Sequence, residues 1–98
     1  MNEGDLVEKI AWEFNLSEAE THRIIEFALE EMSKDLMVGE RIYFRDFGAL
    51  HKEQRQQRRV KHPETGEWLT IPEHYTVDFR PSEALEERVN EVGEENGN

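Results

Sequence analysis

An α+β fold is predicted by one change of period along the 98 residues and by one charge boundary. Apolar residues recur at helical spacing as far as Leu36, then alternate from Arg41 to Phe79 between turn signals. Inside the alternating part lies His51–Pro63, HKEQRQQRRVKHP. There Lys52, Arg55, Arg58, Arg59 and Lys61 against Glu53 give a net charge of +4 in a chain of −11, so the other residues carry −15. The expected order is α-α-β-β-arm-β-α.

The first helix is read from Leu6, Val7, Ile10, Ala11 and Phe14, which form one stripe. Asn2 is its N-cap, and Glu3 and Asp5 suit the positive end of its dipole. Trp12 lies off the stripe, as a residue flanking an interface does. Ser17 with Glu20 reads as a capping box for a second helix. Its stripe is Ile25, Ala28, Leu29, Met32 and Leu36, widened by Ile24 and Phe27, and Gly39 is its C′ residue. Two apolar faces suit an element packed both internally and against a partner subunit.

Ile42 and Phe44 then alternate with Arg41 and Tyr43. Asp46-Phe47-Gly48 is a bend, and Ala49-Leu50 starts a strand that runs into the basic stretch. Pro63-Glu64-Thr65-Gly66 is a turn, because proline presets φ and glycine accepts φ > 0. Trp68–Ile71 returns, Pro72 interrupts because it has no N–H to donate, and Tyr75, Val77 and Phe79 alternate again. Phe44, Phe47, Leu50, Val77 and Phe79 are expected in the core. Pro81-Ser82 opens a short last helix that turns Ala84 and Leu85 inward. Residues 91–98 are expected to form a disordered acidic tail.

With the ribbon, roughly 51–75, projecting and the tail loose, about 65 residues remain to bury a core, and a body that small hides only about 60% of its unfolded surface. The chain has no cysteine to staple it. A dimer that pools two small cores is the expected remedy. The absence of cysteine fits a reducing compartment, the charged N-terminus is no signal peptide, and no run of 18 apolar residues occurs. A cytoplasmic protein without membrane contact is expected.

Taken together these residues resemble the HU/IHF family of bacterial histone-like DNA-bending proteins. The resemblance runs from Met1 to about Asn90. It rests on Met1-Asn2 with Leu6, Ile10 and Ala11, on Gly39, and on Phe47-Gly48. The arm is its most specific part: Arg55, Arg58 and Lys61, then Pro63-Glu64-Thr65-Gly66 and Ile71, closed by Phe79-Arg80 and Ala84-Leu85. It implies residues 1–90 as a DNA-binding domain and an intertwined dimer with a helical base, a β saddle and two ribbon arms that reach round DNA in the minor groove. Pro63 would be the intercalating wedge, and Arg55, Arg58, Arg59, Lys61, His62 and Arg80 the DNA-contacting set. The partners implied are duplex or distorted DNA and a second copy of the chain, with a paralogue in a heterodimer as the alternative; the setting implied is the nucleoid.

The chain departs from the family's pattern where body lysines are usual. Glu3, Glu18, Glu83 and Glu86 stand there, with Val60 for an arm glycine and His62 for the asparagine before the proline. Such a body repels flanking duplex, so DNA contact is expected at the arms alone. The alternative is an acidic protein-interaction module, an antagonist of basic nucleoid proteins. His51, His62 and His74 invite a zinc reading, but spacings of 11 and 12 match no common motif. No catalytic triad, P-loop or glycine-rich nucleotide motif occurs, so neither enzyme activity nor a cofactor is expected.

Overall fold

A computed structural model describes residues 1–96, with side chains through Glu91. In chain order the elements are α1 (Glu3–Phe14), α2 (Glu18–Met37), β1 (Ile42–Phe44), β2 (Gly48–Arg55), β3 (Arg58–Lys61), β4 (Trp68–Ile71), β5 (His74–Pro81) and α3 (Glu83–Asn96). The class is α+β, in the expected order. Residues 1–35 form one compact unit and the chain from Leu36 onward another.

In the first unit Asn2 and Asp5 complete a capping box. The Asn2 side chain accepts the Asp5 N–H at 2.9 Å, and the Asp5 carboxylate accepts the Asn2 N–H at 3.3 Å. Asn15 ends α1 in the left-handed region, at φ 55. Ser17 Oγ then accepts the Glu20 N–H at 3.0 Å and opens α2. Between these caps Val7, Ala11 and Thr21 are buried, and Thr21 satisfies its hydroxyl on the Ser17 carbonyl at 2.9 Å. His22 sits between Glu3 and Glu26, at 3.2 and 2.5 Å.

In the second unit β1, β2 and β5 form an antiparallel sheet in that order, and β3 pairs with β4 in a separate two-stranded ladder. The bend between β1 and β2 places Asp46 at φ 59 and bonds Phe47 N–H to the Phe44 carbonyl at 3.1 Å. The glycine after it is required by close approach. A Cβ at Gly48 would lie 2.5 Å from the Arg80 carbonyl oxygen and 2.7 Å from the Phe79 ring. Phe47 itself tilts against Phe79 with centroids 5.5 Å apart, and its carbonyl accepts the Ser82 N–H at 2.9 Å. The Phe-Gly pair thus ties the first turn of the sheet to the end of β5 and the start of α3. Ser82 Oγ in turn caps α3 by accepting the Leu85 N–H at 3.0 Å.

Two expectations change. The helix α3 continues through residue 96, so residues 91–96 of the expected disordered tail are helical; residues 97 and 98 lie outside the described residues. More consequentially, Phe44, Phe47, Val77 and Phe79 are not buried in the single chain: they are 44%, 52%, 51% and 41% exposed, and Leu50 is only half-buried. A three-stranded sheet has too little of its own chain to cover its apolar face. Ile24, Phe27 and Leu29 of α2 are likewise exposed. Apolar exposure on this scale marks an association surface.

Replacing Gly48 with alanine is expected to cost about 1–3 kcal/mol of stability through the clash with β5, read as a lower urea midpoint at unchanged slope. If the apolar faces are covered by self-association, raising protein concentration about tenfold raises the unfolding temperature. A midpoint independent of concentration would contradict that.

Candidate nucleic-acid interface

The basic stretch is carried on one long hairpin. The register that pairs Gly48 with Pro81 continues through Arg55 with His74, then Arg58 with Ile71 and Lys61 with Trp68, without a slipped residue. His62 closes the hairpin by donating its N–H to the Glu67 carbonyl at 2.7 Å. The ladder is interrupted only at Gln56-Gln57 opposite Pro72-Glu73, where Pro72 has no N–H to donate. The expected kink in the returning limb is this break. The Gln54 amide bridges it from below by donating to the Glu73 carboxylate. From Arg55 to the tip the ribbon extends about 25 Å at the usual rise per residue.

Alternation divides the cations between two faces. Above the break, Arg59 and Lys61 share a face with Thr70 and Trp68, and the Arg59 guanidinium lies 5.3 Å from the Trp68 ring centroid. Arg58 is on the other face with Val60, Leu69 and Ile71. At the tip Pro63 is exposed, followed by Gly66 at φ 76. His62 is half-buried, and its Nδ1 accepts the N–H groups of Glu64 and Thr65, each at 3.2 Å.

Below the break, Arg55 and Arg80 share one sheet face with His51, Glu53 and Asp78. Both arginines are held by carboxylates. Arg55 Nη2 lies 3.4 Å from Glu53 Oε2, and Arg80 Nε lies 3.3 Å from Asp78 Oδ2, which also faces His51 Nε2 at 3.6 Å. These pairs are solvated, with the Arg80 side chain 72% exposed, so they compete weakly with a phosphate. Lys52, counted in the basic stretch, points to the opposite face. It lies 4.4 Å over the Tyr75 ring and donates to the Met37 carbonyl at 3.2 Å, at the negative end of α2. It serves the fold, a role that only its contacts with Met37 and Tyr75 reveal.

The structure therefore brings Arg55, Arg58, Arg59, Lys61, His62 and Pro63 onto one ribbon and places Arg80 at its base. The residues that the sequence reading did not pair are Glu53 and Asp78, each two positions from its arginine on the same strand and so on the same face; cross-strand register adds His51 opposite Asp78. His51, Glu53 and Asp78 also have ligand-type atoms within 4.8 Å of one another, but an arginine already occupies each carboxylate. The group is not the His51, His62 and His74 set that the sequence lines up.

Comparison with known proteins agrees with this architecture. A family model described as "Bacterial DNA-binding protein" matches residues 1–90. The integration host factor subunit beta of Saccharophagus degradans is 37% identical over 92 residues, covering 93% of this chain and 94% of the relative. That of Alkalilimnicola ehrlichii is 35% identical over 91 residues, covering 92% and 91%. Among solved structures, Anabaena HU crystallised with DNA superposes with a TM-score of 0.80 at 25% identity, covering 91% of this chain and 97% of that one. The chain belongs to the bacterial DNA-binding protein family that includes HU and integration host factor.

Proposed function

We propose that this chain is an architectural protein of the nucleoid, which as a homodimer binds duplex or distorted DNA through its two arms, with little sequence preference, and bends it. One observation carries the reading: an unslipped hairpin that holds Arg55, Arg58, Arg59 and Lys61 behind an exposed proline tip. The relative of TM-score 0.80 was crystallised with DNA, which supports the same reading.

The chemistry follows from the two-faced ribbon. Cations on both sides let an arm lying in a groove meet phosphates of both walls, and arginine is favoured where the minor groove is narrow and its potential most negative. The exposed, apolar Pro63 has no N–H to leave unsatisfied between bases. Wedging it there costs a few kcal/mol of unstacking, offset by the contacts that a bent duplex makes possible. None of these interactions reads base edges, hence the low sequence preference.

The acidic body sets the limits of the site. Glu83 and Glu86 stand in the first turn of α3 and repel a duplex that would follow the body. Contact is then confined to the arms, a short site without wrapping. Two copies of the chain supply the pair of arms and cover the exposed apolar faces. A paralogous partner in place of the second copy is favoured by one observation, that the relatives bear the name of a beta subunit. Light scattering on the purified chain distinguishes the two: a particle of twice 11.6 kDa supports the homodimer, and a monomer supports the paralogue.

Gel shifts on linear, nicked and pre-bent duplexes test DNA binding. Association is expected at about 50 mM salt, with a dependence on log salt no steeper than about −7, since two arms offer about eight cations; no shift on any duplex at that salt would refute the proposal. Charge reversal at Arg55, Arg58 and Lys61 together abolishes binding, whereas Pro63→Ala lowers bending more than affinity, as end-to-end energy transfer would show.

Asp78→Asn removes one charge from the shared face and frees Arg80. Affinity should rise about two- to fivefold at low salt, with the gain fading as salt screens it. An unchanged affinity would place Arg80 away from the DNA.

A further inference from the structure

The hairpin tip is organised by one side chain. We infer that His62 is the positioning residue for the Pro63 wedge, and that it works only as a neutral imidazole with Nδ1 unprotonated. The inference rests on the DNA-bending reading and assigns His62 a role within the tip rather than on the phosphates.

Accounting for the backbone donors makes the case. Pro63 has none. The N–H groups of Glu64 and Thr65 both point at His62 Nδ1, at 3.2 Å each. The Gly66 N–H bonds the His62 carbonyl at 2.9 Å, and the Glu67 N–H reaches Thr65 Oγ1 at 3.3 Å. His62 N–H donates in turn to the Glu67 carbonyl. Residue 62 thus receives three of the four N–H groups between Pro63 and Glu67 and closes the last rung of the ladder. This is the work of an Asx turn, in which a short side-chain acceptor bonds the backbone two residues on; here a ring nitrogen is the acceptor.

An amide N–H can only donate, so Nδ1 must present its lone pair and the ring proton must sit on Nε2. Protonation would put an N–H against two N–H groups and release the turn that holds Pro63 forward. The capped tip is therefore present where the imidazole is neutral and lost as pH falls. The charged residues next to His62 along the chain and across the pair are Lys61, Glu64 and Glu67, and among the described residues none of them is ion-paired with it. A histidine that merely met phosphates would behave in the opposite way, gaining attraction as it charged.

The test compares the full-length wild type with His62→Asn and His62→Ala. Nitrogen NMR of the free protein reads the tautomer and the Glu64 and Thr65 amides. Energy transfer on an end-labelled duplex reads bending at about pH 8 and about pH 5.5, across the range in which imidazole titrates. Wild type should carry its ring proton on Nε2 at the higher pH and lose about two- to tenfold in the bent-to-straight ratio at the lower, the scale of a lost acceptor. His62→Asn, whose Oδ1 replaces the acceptor, should bend DNA at both pH values. His62→Ala should bend poorly at both. Loss of the pH response in His62→Asn is the decisive comparison, because that substitution changes the tip alone. A proton on Nδ1 at the higher pH, bending that increases on acidification, or an undiminished pH response in His62→Asn would overturn the inference. If none of the three proteins binds DNA, the function proposal fails, and the NMR arm alone still decides the tip assignment.

Discussion

The pairing of β2 with β5 is the constraint on which the rest of the second unit depends. With Gly48 pressed against the Arg80 carbonyl and the Phe79 ring, only a residue without a Cβ fits at that end of the ladder. The pairing then sorts side chains by parity. Leu50, Lys52, Val77 and Phe79 fall on one face, and His51, Glu53, Asp78 and Arg80 on the other. A slip of one residue would put carboxylates on the apolar face and phenylalanine on the face that carries Arg55 and Arg80. The same register carries into the arm and decides which cations stand together there.

The electrostatics invert the usual pattern for a nucleic-acid-binding protein. A chain at −11 is repelled by DNA at long range, while its positive charge is concentrated on the ribbon. Arg55 and Arg80 each face a carboxylate neighbour. Exposed pairs of this kind are worth little, so they temper the two arginines without removing them. Under the proposed function, binding is governed by short-range contact and by salt, and less by steering from afar.

The small interior explains why the fold looks unfinished as a single chain. Among the described residues Val7 and Ala11 are the buried hydrophobics, while large side chains on α2 and on the sheet stay exposed. Such a body does not gain enough from its own burial to offset its conformational entropy. Local devices supply order in the meantime: the caps at Asn2, Ser17 and Ser82, the left-handed residues that end α1 and turn β1 into β2, and Lys52 on the end of α2. They shape each element, and association supplies the missing core.

By itself the sequence determined what depends on neighbours along the chain. The caps at Asn2 and Ser17, the end of α2 before Gly39, the bend at Phe47-Gly48, the Pro63–Gly66 turn and the break at Pro72 are short-range consequences of residue type, and all were legible. So was the location of the basic arm, because charge contrast needs no coordinates. Only the tertiary structure decided which residues are partners across the ladder. It withdrew Lys52 to a helix end, set His51 opposite Asp78, moved the phenylalanines from core to association surface, and turned the His62 ring onto the backbone of the tip. The reason is physical: periodicity states which face a side chain shares, while burial, ion pairing and hydrogen bonding depend on what another part of the chain brings opposite it.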